Sequence, residues 1–136
     1  MAKRTQWIPH FSTGNATLDA QHQELLAQCN ALAYCLMDSG EAGKDRFPDI
    51  LEQLIASVRE HFATEKELLA RNAYPMLDEH EHEGEEFEYL SSEIISIENF
   101  DMDELQTFLA LWCTGHIVGT SERQRPYLEG QSESAT

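Results

Sequence analysis

The stretch His61-Phe62-Ala63-Thr64-Glu65 places an imidazole and a carboxylate four residues apart inside an apolar repeat. On a helix, side chains at that spacing share one face about one turn apart. The face points into a core, because Phe47, Ile50, Leu51, Leu54, Ile55, Val58, Phe62, Leu68 and Leu69 follow the same helical repeat. A buried His beside a buried Glu is costly unless a positive partner holds the two. A metal ion is the simplest such partner. A core His hydrogen-bonded to its neighbouring Glu is the alternative.

The 136-residue chain is long enough for one domain with one core. Its formal net charge of -16, from 9 basic and 25 acidic residues, argues against nucleic acid or an anionic membrane as partner. No apolar run approaches the roughly 20 residues of a membrane span. The opening Met-Ala-Lys-Arg is followed by no apolar segment, so no secretory signal is expected. Cys29, Cys35 and Cys113 lack the close spacing of a thiolate metal site, and reduced thiols in a cytoplasmic protein are the expected state.

Residues 1–17 read as an irregular arm anchored by Trp7, Ile8 and Phe11, with Pro9, Gly14 and Asn15 interrupting any period. A first helix is expected over 18–37, with Leu18, His22, Leu25, Leu26, Cys29, Leu32 and Leu36 on its inner stripe and Asp38-Ser39-Gly40 ending it. A second, over about 44–70, carries His61 and Glu65 and is broken by Asn72, Tyr74 and Pro75. A third, over about 76–97, turns Leu77, His80, Gly84, Phe87, Leu90 or Ser91, and Ile94 inward. His82 lies about 200° round that helix from His80, on an acidic, solvated face. Asp101 with Glu104 forms a capping box for a fourth helix, whose stripe is Met102, Leu105, Leu109, Trp112 and His116. The expected layout is a single domain over 1–136: an arm to residue 17, an up-down-up-down antiparallel four-helix bundle over 18–125, and a mobile tail from 126.

Each predicted helix thus puts one histidine on its apolar stripe: His22, His61, His80 and His116. They lie alternately near a helix start and a helix end, so an up-down-up-down bundle collects them in one layer with Glu65. Imidazole and carboxylate ligands suit iron or zinc, and the absence of an aligned thiolate argues against an iron–sulfur cluster.

These blocks resemble the haemerythrin and bacteriohaemerythrin family over about residues 6–128. Trp7, Phe11-Ser12-Thr13-Gly14-Asn15 and Leu18-Asp19-Ala20-Gln21-His22 are similar to the family's arm and first ligand. His61-Phe62-Ala63-Thr64-Glu65, then Tyr74-Pro75 with His80 and Phe87, then Trp112 with His116-Ile117, resemble its later helix blocks. The resemblance implies a bundle holding two non-haem irons, with an oxo or hydroxo bridge between them, that binds dioxygen reversibly. It further implies that His22 and His61 hold one iron, that His80 and His116 hold the other, and that Glu65 bridges the pair. Two positions depart from the family pattern: Gly84 stands where relatives have a further His, and Ser121 where they have a bridging Asp. Glu83 and, less directly, Glu122 are nearby carboxylates that could compensate.

The function so implied is dioxygen binding or sensing at the iron, with a fused or separate signalling partner left unidentified. One alternative is an altered, one-metal site, iron or zinc, used for structure or regulation. Another is an iron-dependent enzyme that reduces peroxide or dioxygen.

Overall fold

The structure, a computed structural model, describes residues 5–37, 41–97 and 100–128. Four long helices account for most of it: α1 (Ala16–Met37), α2 (Glu41–Arg71), α3 (Leu77–Ser96) and α4 (Met102–Arg123). A short 3-10 turn, Pro9–Phe11, lies in the arm, and a one-turn helix α5 (Arg125–Leu128) follows α4. No strand occurs among the described residues. The architecture is the expected all-α four-helix bundle. The first-helix stop at Asp38-Ser39-Gly40 lies outside the described residues, as do 129–136.

Local chemistry sets the helix ends. Asn15 caps α1 by accepting from the Leu18 backbone N–H at 3.0 Å, and Asp101 caps α4 by accepting from the Glu104 N–H at 3.2 Å. Both satisfy donors that a helix start leaves without partners. α2 begins earlier than its apolar repeat suggests and carries Pro48 as its eighth residue, where a proline removes one backbone hydrogen bond of the helix. It ends in a reversed turn: Tyr74 N–H bonds the Leu69 carbonyl at 2.9 Å, with Ala73 in the left-handed region at φ 58°.

The apolar stripes meet in two clusters. The larger joins Leu25, Cys29 and Leu32 of α1, Phe47, Leu54 and Val58 of α2, Phe87 of α3, and Leu105, Leu109, Cys113 and Ile117 of α4. Each buried Leu, Val, Ile or Phe side chain here contributes about 1.5–3 kcal/mol relative to exposure. The smaller cluster, Leu18, Leu68, Leu69 and Leu128, closes one end of the bundle. Its last member corrects the expected tail, because residues 125–128 are helix and Leu128 is fully buried. The Asn15 amide donates to the Leu128 carbonyl at 3.3 Å, tying α5 to the arm. The reason is chemical: a single buried apolar anchor five residues beyond the end of α4 is too short a signal to read as a period.

The helices are not equally seated. α1 packs along α2 and α4, whereas α3 meets α2 along a shorter seam. Eight buried side chains hold α1, but only His80, Phe87 and Ser91 are buried on α3. The three cysteines are free and buried. Among the described residues, no helix is long and apolar enough to cross a membrane.

Candidate metal centre

Between the two apolar clusters lies one polar layer. It contains His22 of α1, His61 and Glu65 of α2, His80 of α3 and His116 of α4, each at most 3 % exposed. The periodicity argument had placed these five together, and the structure brings them together. It groups them differently from the division implied by the resemblance. His22, His61 and His116 converge on one carboxylate oxygen, and His80 stands alone on the other.

The Nε2 atoms of His22 and His61 are 2.9 Å apart, and those of His61 and His116 are 3.0 Å apart. Glu65 Oε2 lies 2.6 Å from His61 Nε2, 3.4 Å from His116 Nε2 and 3.5 Å from His22 Nε2. Glu65 Oε1 faces His80 Nε2 at 2.8 Å. The ligand atoms of His22, His61, Glu65 and His116 all fall within 4.8 Å of one another. A four-coordinate ion with bonds of about 2.0–2.1 Å would space its donors roughly 3.3 Å apart, which is the scale of these separations.

The outer ring nitrogens explain why the inner ones point inward. Gln21 donates its amide to Thr64 Oγ at 3.2 Å, which turns its carbonyl oxygen to accept from His61 Nδ1 at 2.8 Å. Glu83 Oε2 accepts from His116 Nδ1 at 2.8 Å. Both contacts place a proton on Nδ1, so that in the neutral ring, the form that binds a metal, Nε2 is the lone-pair donor. The indole of Trp112 stacks on the His116 ring, with centroids 5.4 Å apart and planes 4° from parallel.

Lone pairs therefore face each other and a carboxylate in a dry layer. Glu65 Oε2, His22 Nδ1 and His80 Nδ1 have no hydrogen-bond donor or acceptor among the described residues. Burial lowers the pKa of His22 to about 4, despite the Glu65 carboxylate beside it. It also lowers that of His61, again against the pull of Glu65. His116 goes the other way: burial opposes its charge, but Glu65 and then Glu83 outweigh it and raise the pKa to about 10. Burial works against the Glu65 carboxylate too, yet His116 and His61 hold its pKa well below the usual range. One proton on His116 can relieve only part of this convergence. A cation that accepts all four donors relieves the whole of it, so the donor set fits a bound metal ion.

The two departures from the family pattern behave differently. A Cβ on Gly84 would sit 3.3 Å from the Phe62 ring, so that aromatic side chain borders the space a longer side chain at this position would enter. Ser121 is buried, and its hydroxyl donates back to the Val118 carbonyl of its own helix at 3.0 Å. Glu83 reaches the outer face of His116 and no inner donor. Glu122 is half-exposed and lies 3.7 Å from the exposed His10, away from the layer. His82 is exposed, as its position on α3 predicts.

Sequence reasoning missed Gln21 and Trp112 as supports, and it weighed Glu83 only as a compensating ligand, not as the partner of His116 Nδ1. Neighbouring position to a ligand was the only hint for Gln21, and it is a weak one. Two clefts reach the layer from either side of α3. A cleft of about 420 Å³ between α2 and α3 is lined by Val58, Phe62, His80, Gly84 and Phe87, with charged residues at its rim. A polar cleft of about 320 Å³ opens beside His80 towards the end of α4.

Comparison with known proteins finds one matching family. The family model for the Hemerythrin HHE cation binding domain matches residues 13–123. A bacteriohemerythrin of Stenotrophomonas maltophilia (strain R551-3) is 26% identical over 127 residues, an alignment covering 85% of this chain and 76% of that protein. No solved structure matches significantly.

Proposed function

The chain belongs to the hemerythrin family, and from that premise we propose that it is a non-haem iron domain that binds or senses dioxygen. His22, His61, His116 and Glu65 Oε2 would hold one iron. Glu65 Oε1 and His80 would supply the protein ligands of a second, leaving its other positions to water, hydroxide or an incoming small ligand. Ferrous iron there would supply the electrons through which dioxygen is held.

The observation that carries this reading is the convergence of three Nε2 atoms and a carboxylate oxygen in a layer sealed by Leu18, Leu68, Leu69 and Leu128 on one side. A merely structural histidine layer would pair donors with acceptors. Here the outer partners Gln21 and Glu83 turn two lone pairs inward. The apolar cleft supports the small-ligand part. Phe62 and Phe87 line its approach to His80, and apolar walls slow the entry of water and protons more than that of a neutral diatomic.

The α3 side favours one second reading. With Gly84 and Ser121 contributing no ligand atom, the protein offers only two donors around Glu65 Oε1. A single metal used for structure or regulation then becomes the alternative. One sample separates the readings: load the protein anaerobically with ferrous iron, count metal per chain, then record the visible spectrum in air and under argon. Two irons with a band that appears in air and bleaches under argon support the oxygen-binding domain. About one metal and no air-dependent band replaces it with the single-metal reading. No metal retained overturns both.

A further inference from the structure

The two clefts beside α3 differ in charge, and that difference assigns them different traffic. In the α2–α3 cleft four of the five rim charges pair with one another, and Glu85 is the fifth. Lys66 meets Glu81 at 2.6 Å, and the Arg59 guanidinium meets Glu88 with one contact of 3.0 Å. The cleft towards α4 is lined by three carboxylates, Glu79, Glu83 and Glu86, with His82 beside them and Arg123 as the one opposing charge. Glu79, His82, Glu83 and Glu86 recur at the spacing of one helix face.

That acidic stripe ends on a second and independent feature. His80 lines the same cleft, is 3 % exposed, and keeps its Nδ1 without a partner among the described residues. Glu83 links the cleft to the layer directly, because it also holds the outer nitrogen of His116.

We propose that this polar cleft is a capture site for a divalent cation, through which metal enters the histidine layer. The proposal rests on reading that layer as a metal site. Exposed carboxylates and an imidazole bind a hydrated divalent ion weakly enough to release it. The chain's net charge of -16 draws cations in from a distance, and the stripe focuses that field on one mouth. Deeper in, three imidazoles and Glu65 bind more tightly, so transfer runs inward. The mouth between α2 and α3, with apolar walls and most of its rim charges paired, is left to uncharged ligands.

The test is the rate of metal uptake by the metal-free full chain under anaerobic conditions, mixed rapidly with ferrous ion, alongside the final metal content. The variant E79Q/H82N/E86Q should load about tenfold more slowly, within the range electrostatic focusing provides, yet reach the wild-type metal content. The variant E52Q/E93Q removes the same two charges from other exposed positions and should load within about twofold of wild type. Uptake by E79Q/H82N/E86Q as fast as wild type overturns the proposal. So does equal slowing in both variants, which would leave only the general field. A lower final content in E79Q/H82N/E86Q overturns it as well, by making these groups permanent ligands. A wild-type chain that takes up no metal at all removes the metal layer itself, and that result is distinct from the others.

Discussion

The wall formed by α1, α2 and α4 and the single helix α3 treat the same carboxylate in opposite ways. On the wall side, Glu65 Oε2 meets three imidazoles; outer partners aim His61 and His116, Trp112 also stacks on His116, and His22 Nδ1 has no partner among the described residues. On the α3 side, Oε1 meets His80 alone, and that ring has no outer partner among the described residues. Packing follows the same division: α1 and α4 bury continuous stripes, whereas α3 buries three side chains and is flanked by both clefts. A bundle of this kind combines a rigid seat for one metal with an accessible face for exchange, because burial that fixes ligands also blocks entry.

The contrast can be broken most directly by deleting a ligand on each side. His61→Ala should lower metal affinity by more than about 100-fold, beyond what loss of an outer partner costs, while His80→Ala should leave one metal per chain bound. Metal content after dialysis, with circular dichroism to confirm helix, decides it; equal losses would erase the asymmetry. Gln21→Ala comes next. It takes the acceptor from His61 Nδ1 and should weaken metal binding about 10–100-fold, as outer partners commonly do. An unchanged affinity would mean that packing alone aims the ring.

Hydrogen exchange sharpens the comparison without any metal. Amides in the middle of α3 should be protected less than those of α1 and α4, by a factor on the order of ten or more, since sparse apolar burial marks low local stability. Uniform protection across the helices would contradict it. The smallest effect belongs to the turn that delivers α3. Ala73 holds a left-handed conformation at φ 58°, which costs an L-residue roughly 1–2 kcal/mol. Ala73→Gly should therefore stabilise the fold by about 0.5–1 kcal/mol in denaturant titration, and destabilisation would show that the Ala73 methyl packs usefully.

Much of the molecule was legible without coordinates. The 3.6-residue repeat located four helices to within a few residues, Asp101 announced its cap, and alternating start and end positions put His22, His61, His80 and His116 at one level. His82 was separable from His80 because two residues on a helix face different ways. The reading failed where a contact crosses between helices at a side chain's full length. Glu83 was weighed as an inward ligand, yet it takes the outer nitrogen of His116, and α5 was read as tail although Leu128 seals the layer.

By itself, then, the sequence determined the helices, their inner faces and the company of five polar groups, because periodicity along one strand of chain fixes direction around each axis. Only the tertiary structure decided that the histidines divide three to one around Glu65, which nitrogens point inward, and that α3 stands between an apolar and an acidic opening. Those depend on how far each helix is rotated and shifted against its neighbours. That adjustment is set by the sum of many packing contacts, and no local pattern encodes it.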